Sequence, residues 1–400
     1  MGFDLWIRSL YDRVILRPDG FRIAPGTMLA SNHQRDVDGP MLGTVLVQRH
    51  GLHFRWPLPF YATREDLFRP GILSRLTVQW PQPLSALLGH VSLAWFFPLG
   101  RAEPMRRVRE YTLGEALRAL AAAGFADADA ASMLNARGRR ETGLAAGAAS
   151  VRMAGQRDDP RMESWWGLRR LAPAASHALA PGFRATVDAQ LAHFAMRLDR
   201  RRCVYFSPEG TISMDGHFGR IRAGFFRLAR MARAPPWIQP MAIGYDTLAP
   251  GRSRVVVRIG ERRRAVTSLE RRAFDATLRR MILELAPITP SHLLARFLLH
   301  GPVACTEADL AGWLARCLPA LRNAHPSLDP LLQNADVRVL ASQRLRWLEH
   351  KGVVVRQGDV FRNLCDRGAE PGWRAPANIA RYLDNNLADL VPDADRRLPC

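Results

Sequence analysis

Brief apolar runs, each ending in a polar or glycine-bearing cluster, recur along the first two thirds of the chain and constrain its fold more than any other feature. Gly26-Thr27-Met28-Leu29-Ala30 runs into Ser31-Asn32-His33, Leu93 to Leu99 ends at Gly100-Arg101, and Cys203-Val204-Tyr205-Phe206 ends at Ser207-Pro208-Glu209-Gly210. Two more runs follow, Ile238 to Tyr245 and Val255 to Ile259. Strands interleaved with helical segments predict an α/β fold, an open mixed sheet flanked by helices. Sheets of that kind carry their functional groups at the carboxyl ends of strands.

From about Pro287 the pattern changes to helices. Thr306-Glu307-Ala308-Asp309 reads as the capping-box start of a helix running to about Leu321, and Ser342 to His350 reads as another. Val353-Val354-Val355 and Val360-Phe361 flank Gln357-Gly358-Asp359 as a small hairpin, and the last helix places Ile379, Leu383, Leu387 and Leu390 near one face. The expected division is therefore a domain over 1–265 and a mostly helical C-terminal domain over 287–400. Helix followed by hairpin is also the outline of a winged-helix module. Within the first domain an Ala/Arg/Gly-rich stretch, about 112–195, reads as a mostly helical insertion in which Trp165-Trp166 is an anchor, in the core before the membrane interface.

The chain has 400 residues, 48% of them apolar and 24% charged, proportions that exclude wholesale disorder or a fibrous repeat. Its formal charge of +20 is carried by arginine, since Lys351 is the sole lysine. That balance points to a polyanionic partner: nucleic acid, anionic lipid headgroups or a phosphorylated substrate. Cys203, Cys305, Cys317, Cys365 and Cys400 form no CxxC pattern, which argues against a disulfide scaffold or zinc cluster and for a reducing compartment. Met1 to Leu16, interrupted by Asp4, Arg8, Asp12 and Arg13, lacks the core of a secretory signal and reads as an amphipathic helix. Leu76 to Gly100 holds no charged residue but is broken by Pro81, Pro83 and Pro98, so it suits an interfacial surface or the wall of an apolar pocket better than a span.

Asn32-His33-Gln34-Arg35-Asp36-Val37-Asp38 sets a histidine five positions before one acid and three before another. On an ideal helix five residues rotate by roughly 500°, so His33 and Asp38 can meet only if the chain turns between them. A carboxylate beside the imidazole fixes its tautomer and raises its basicity, which fits His33 to take a proton from an alcohol. Asp36 competes for that partnership through the i to i+3 relation. Glu209-Gly210 at one strand end and Arg101 at another add an acid, a backbone able to approach an oxygen closely, and a guanidinium fork suited to phosphate.

Taken in order, these blocks resemble the glycerolipid acyltransferases, the family of glycerol-3-phosphate and 1-acylglycerol-3-phosphate acyltransferases. The resemblance rests on the N-H-x4-D block at Asn32 to Asp38, the block ending at Arg101, the F-P-E-G-T block as Phe206-Ser207-Pro208-Glu209-Gly210-Thr211, and the proline block Ile238-Gln239-Pro240-Met241-Ala242-Ile243. Arg222 to Ala229 is similar to the family's basic helix, and Arg254 to Gly260 to its next strand. Ser207 is an insertion in the third block, and Ile212 stands where an arginine often follows Gly-Thr. Arg381 to Leu390 looks like a tyrosine and asparagine helix near the C-terminus of the glycerol-3-phosphate enzymes.

The resemblance implies a metal-free O-acyl transfer with no covalent enzyme intermediate and no cofactor, the donor being acyl-CoA, acyl-carrier protein or an acyl phosphate. It implies His33 as general base oriented by Asp38, with Arg101, Glu209, Gly210 and Arg222 holding the glycerol-phosphate part of the substrate and the Gly210 and Thr211 N–H groups stabilising the oxyanion. The expected partner surface is an anionic membrane, met on its cytoplasmic face as a peripheral or monotopic protein. The competing class is a basic nucleic-acid-binding protein using the winged-helix-like C-terminal segment. Because the arginines are spread along the chain instead of gathered there, no nucleic-acid partner is expected.

Overall fold

The structure, a computed structural model, describes residues 2–46, 49–50, 53–54, 59–68, 101–106, 111–157, 159, 161–162, 167–325, 327–365, 371 and 376–391. It is α/β, and its contacts divide the chain into two compact units, residues 1–59 with 197–400 and residues 60–196. Leu76 to Gly100, the Leu93 to Leu99 run and Trp165-Trp166 lie outside the described residues.

The first unit opens with α1 (Gly2–Leu10), β1 (Tyr11–Leu16), β2 (Thr27–Ser31) and α2 (Asp38–Leu46), then the short pair β3 (Arg49–His50) and β4 (His53–Phe54). The N-terminal helix expected to reach Leu16 stops at Leu10 because Tyr11 to Leu16 pairs in parallel with a later strand, from Tyr11↔Ser253 to Leu16↔Arg258. Strand pairing satisfies the backbone of a segment that carries the β-branched Val14 and Ile15.

The second unit holds the parallel pair β5 (Phe60–Arg64) and β6 (Ala102–Met105), then α3 (Leu113–Leu120), α4 (Ala136–Thr142), α5 (Val151–Gln156) and α6 (Pro173–Asp199), whose last residues from Arg197 on belong to the first unit. The Ala/Arg/Gly-rich stretch is thus mostly helical. Thr112 and Glu115 close a capping box at the start of α3. Leu113, Leu117, Leu120, Leu134, Val151 and Phe183 form its core.

The first unit resumes with β7 (Val204–Phe206), α7 (Ala223–Met231), β8 (Trp237–Asp246), β9 (Ser253–Ile259), β10 (Arg263–Arg264) and α8 (Arg271–Leu283). Its sheet runs β1-β9-β8-β2-β7, with β10 beside the start of β8. β2 is parallel to both neighbours, from Thr27↔Trp237 to Ser31↔Met241 and from Met28↔Val204 to Ala30↔Phe206, whereas β8 and β9 are antiparallel. The sheet is therefore mixed. Its central strands are buried on both faces, as a helix-covered parallel arrangement requires.

The chain then forms α9 (Pro290–His300), β11 (Ala304–Cys305), α10 (Glu307–Ala324), α11 (Pro330–Asn334), α12 (Val337–His350), β12 (Val354–Gln357), β13 (Val360–Asn363) and α13 (Pro376–Leu390). The expected capping box is present, Thr306 and Asp309 exchanging bonds at the start of α10. β12 and β13 form the expected hairpin, and β11 adds to it as a third antiparallel strand. From α9 to β13 the order is helix, strand, two helices with the short α11 between them, and hairpin.

This region, expected as a mostly helical domain over 287–400, packs against the sheet. Ala242 and Leu248 belong to the same apolar cluster as Leu293, Leu298, Leu345, Phe361 and Leu383. A buried ion pair fastens the two together: Arg344 Nη2 donates to Asp246 Oδ2 at 2.6 Å, with Arg344 5% and Asp246 1% exposed. Ser291 N–H adds to the other Asp246 oxygen at 3.0 Å, so the buried carboxylate is compensated from two helices. Among the described residues no helix is long and apolar enough to cross a membrane.

Candidate functional site at the ends of β2 and β7

Because β2 and β7 are parallel and in register at Ala30↔Phe206, the residues three positions beyond each, His33 and Glu209, come out side by side. Asn32 first anchors the end of β2. Its side-chain Nδ2 donates to the Ile243 carbonyl at 2.8 Å and its Oδ1 accepts the Ile243 N–H at 2.8 Å, so the amide extends the pairing with β8 by one step. Ser31 and Tyr205 hydroxyls meet at 2.9 Å across the β2–β7 pair.

The turn between His33 and Asp38 that the sequence required is present. Asp38 N–H donates to the Arg35 carbonyl at 3.1 Å, and Asp38 begins α2. Its Oδ2 lies 3.1 Å from His33 Nδ1 and also accepts the N–H groups of Gln34 at 2.6 Å and Arg35 at 2.9 Å. Oδ1 accepts the hydroxyl of Tyr245, from β8. Asp38 is fully buried, and these donors together with the α2 N-terminus offset the cost of burying its charge. Asp36, the competing acid, is exposed to solvent.

A carboxylate on Nδ1 holds the proton of a neutral imidazole there and leaves Nε2 to act as acceptor. The His33 side chain is 20% exposed, enough for a partner to reach it, while Asp38 beneath it is sealed. Burial, and next the Asp38 charge, push the Tyr245 phenol well above its ordinary pKa, so it remains a donor to that carboxylate. The Arg35 guanidinium lies over the Tyr245 ring at 4.2 Å.

Glu209 is 2% exposed, and each of its oxygens already accepts a backbone N–H. Oε1 takes His33 N–H at 2.9 Å and Oε2 takes Gly219 N–H at 2.7 Å. Burial pushes its carboxyl up to about 7 in spite of those two donors. Glu209, expected from the sequence to bind substrate, thus links the backbone of His33 to that of Gly219. Gly210 sits at φ 64, in the left-handed region that favours glycine, and its N–H closes a turn on the Ser207 carbonyl at 3.0 Å. A Cβ there would meet Arg222 Cγ at 3.2 Å.

Thr211 is half-buried, its hydroxyl 3.5 Å from the Ile212 carbonyl. Arg222 is exposed at the start of α7. Its N–H donates to Pro208 O at 2.8 Å and its Nε reaches Glu209 O at 3.4 Å, which leaves the guanidinium at the rim of the same turn. The first unit therefore brings His33, Asp38, Glu209, Gly210, Thr211 and Arg222 together.

Arg101 belongs to the second unit. It stands at φ 56 before β6, its carbonyl accepting Tyr61 N–H at 2.9 Å and its guanidinium 5.2 Å from the centre of the Phe60 ring.

Sequence reasoning missed Asn32 as a strand clamp and Tyr245 as the second partner of Asp38. Asn32 was visible only as the neighbour of the histidine. Tyr245 was visible as the last residue of the apolar run from Ile238. No protein-family model matches the chain, and no curated protein matches it.

Proposed function

We propose that the chain is an O-acyltransferase that moves a fatty acyl group from a thioester donor to a hydroxyl of glycerol-3-phosphate or lysophosphatidate at a membrane surface. The observation that carries this reading is the buried Asp38 carboxylate on Nδ1 of a partly exposed His33 at a strand end. His33 Nε2 takes the proton of the acceptor hydroxyl as its oxygen attacks the thioester carbonyl. The tetrahedral intermediate collapses with cleavage of the carbon–sulfur bond, and the imidazolium returns the proton to the leaving thiolate. Asp38 supports the imidazolium through both steps, so the products are an ester and a free thiol.

Arg222 supplies a cation at the rim for the acceptor phosphate. Arg101 keeps the phosphate-binding assignment that its place in the second sequence block gives it. The anionic bilayer enters as partner through the +20 charge and through α1, where Ile7 is buried while Leu5 and Leu10 are 63% and 44% exposed. Incubating purified protein with labelled acyl-CoA and acyl-carrier protein against a panel of acceptors tests the reading. Transfer to a glycerol-phosphate acceptor is expected; transfer to none of them overturns it.

A second reading is favoured by the winged-helix order of α9 to β13, in which α12 takes the place of a recognition helix. Its exposed face offers Arg338, Gln343 and Arg346, but Arg346 lies 3.6 Å from Glu307 and Arg344 is turned inward on Asp246. A gel shift with duplex DNA discriminates the two readings.

A further inference from the structure

The polar face of α13 has a job that the acyl-transfer reading does not use. Asn385 Nδ2 donates to the Asp215 carbonyl at 2.8 Å, Asn386 Nδ2 to the Gly216 carbonyl at 3.0 Å, and Asp389 Oδ2 accepts the Phe218 N–H at 2.6 Å. Residues 215, 216 and 218 of one loop, 213–219, are thus gripped by one helix. Arg279 of α8 completes the grip, donating to Asp389 Oδ1 at 3.2 Å and to the Phe218 carbonyl at 2.6 Å. Gly216 is at φ 94, and a Cβ there would lie 1.9 Å from the Tyr382 carbonyl oxygen, so loop and helix are in backbone contact.

Both ends of this loop reach the catalytic turn. Ser213 N–H donates to the His33 carbonyl at 2.9 Å, and Gly219 N–H donates to Glu209, whose other oxygen holds the His33 N–H. The His33 backbone is therefore tied at its carbonyl to one end of the loop and at its N–H, through Glu209, to the other.

We propose that α13 is the positioning element for His33, with Asp389 as the positioning residue that fixes loop 213–219 and, through Ser213, Gly219 and Glu209, the histidine backbone. As a claim about catalysis it rests on the acyl-transfer reading; as a claim about rigidity it does not. Asp384 supplies an internal comparison. It lies on the same helix but pairs with Arg296 at 3.3 Å and His300 at 2.7 Å on α9, away from the loop.

The test is amide hydrogen exchange at His33 and Gly219 in the full chain, with steady-state kinetics beside it. Asp389→Ala leaves the Phe218 N–H without its acceptor and should speed exchange at both amides by about ten- to a hundredfold. Asp389→Asn, which keeps an acceptor oxygen, should restore most of the protection. Asp384→Asn should lower the melting temperature while leaving these two amides within about twofold of wild type. Asn385→Ala, a milder change at a half-buried position, should act as Asp389→Ala does but less strongly.

In the kinetic arm Asp389→Ala should lower kcat and spare KM for the acyl donor. If exchange at His33 and Gly219 is unchanged in Asp389→Ala and Asn385→Ala, or rises equally in Asp384→Asn, the clamp is overturned. If the wild-type protein transfers no acyl group while the exchange pattern holds, the acyl-transfer reading falls and the clamp stands.

Discussion

The backbone N–H of His33 donates to Oε1 of Glu209 at 2.9 Å, joining residues 176 positions apart in sequence. The bond fixes the main chain of the histidine, while Asp38 fixes its ring, so the two acids divide the work of holding one residue.

Glu209 should leave a mark on the pH dependence of stability. Burial raises its carboxyl to about 7 in the folded protein, against about 4.3 for a glutamate in an unfolded chain. Between those values the folded state binds the proton more readily, so the group's contribution is full below the unfolded value and is lost as pH rises through the folded one. Glu209→Gln does not titrate and should flatten the fall in stability across that interval, measured as urea midpoints at a series of pH values. An unchanged slope would contradict the assignment.

Asp38 and Asp36 should behave oppositely. Asp38→Ala strips the acceptor from Gln34 N–H, Arg35 N–H and the Tyr245 hydroxyl, and should destabilise the fold by on the order of 3 kcal/mol. Asp38→Asn fills the space but withdraws the charge from Nδ1 and should lower kcat by about 10²-fold or more. Asp36→Ala, at an exposed position, should stay within about 0.5 kcal/mol and keep its activity. Thermal melts and steady-state rates on the three variants check this.

Membrane association should depend on α1 as well as on charge. Leu5 and Leu10 are exposed beside the buried Ile7, and the double change Leu5→Glu with Leu10→Glu should weaken sedimentation with vesicles rich in anionic phospholipid. Binding of the wild type should fall as salt is raised, since the arginine contribution is screened. Equal sedimentation with neutral and anionic vesicles, unaffected by salt or by the double change, would exclude this surface.

The sequence carried the parts of this structure that are local. The turn between His33 and Asp38 followed from a spacing that no straight helix could bridge, and the capping box at Thr306, the hairpin at Gly358 and the apolar face of Leu383, Leu387 and Leu390 followed from short-range pattern. Tyr11 to Leu16 was misread as helix because its partner, Ser253 to Arg258, is distant in sequence and nothing local announces it. The union of the C-terminal helices with the sheet was hidden for the same reason. Arg344 and Asp246 are each ordinary in sequence, and only the fold makes them a buried pair. Glu209 was legible at its strand end, but the His33 and Gly219 N–H groups that it accepts were not, since both donors are backbone groups.

His33 as general base is tested most directly by the rate of labelled acyl transfer to glycerol-3-phosphate and to lysophosphatidate by wild type and His33→Gln, with folding of both checked by thermal melts. The ring is 20% exposed and the backbone of residue 33 is held independently of it, so the variant should fold. The wild type should transfer the acyl group and the variant should lose about 10²- to 10⁴-fold in kcat, the range expected for removal of a positioned general base. A folded His33→Gln protein that keeps most of the wild-type kcat would contradict it.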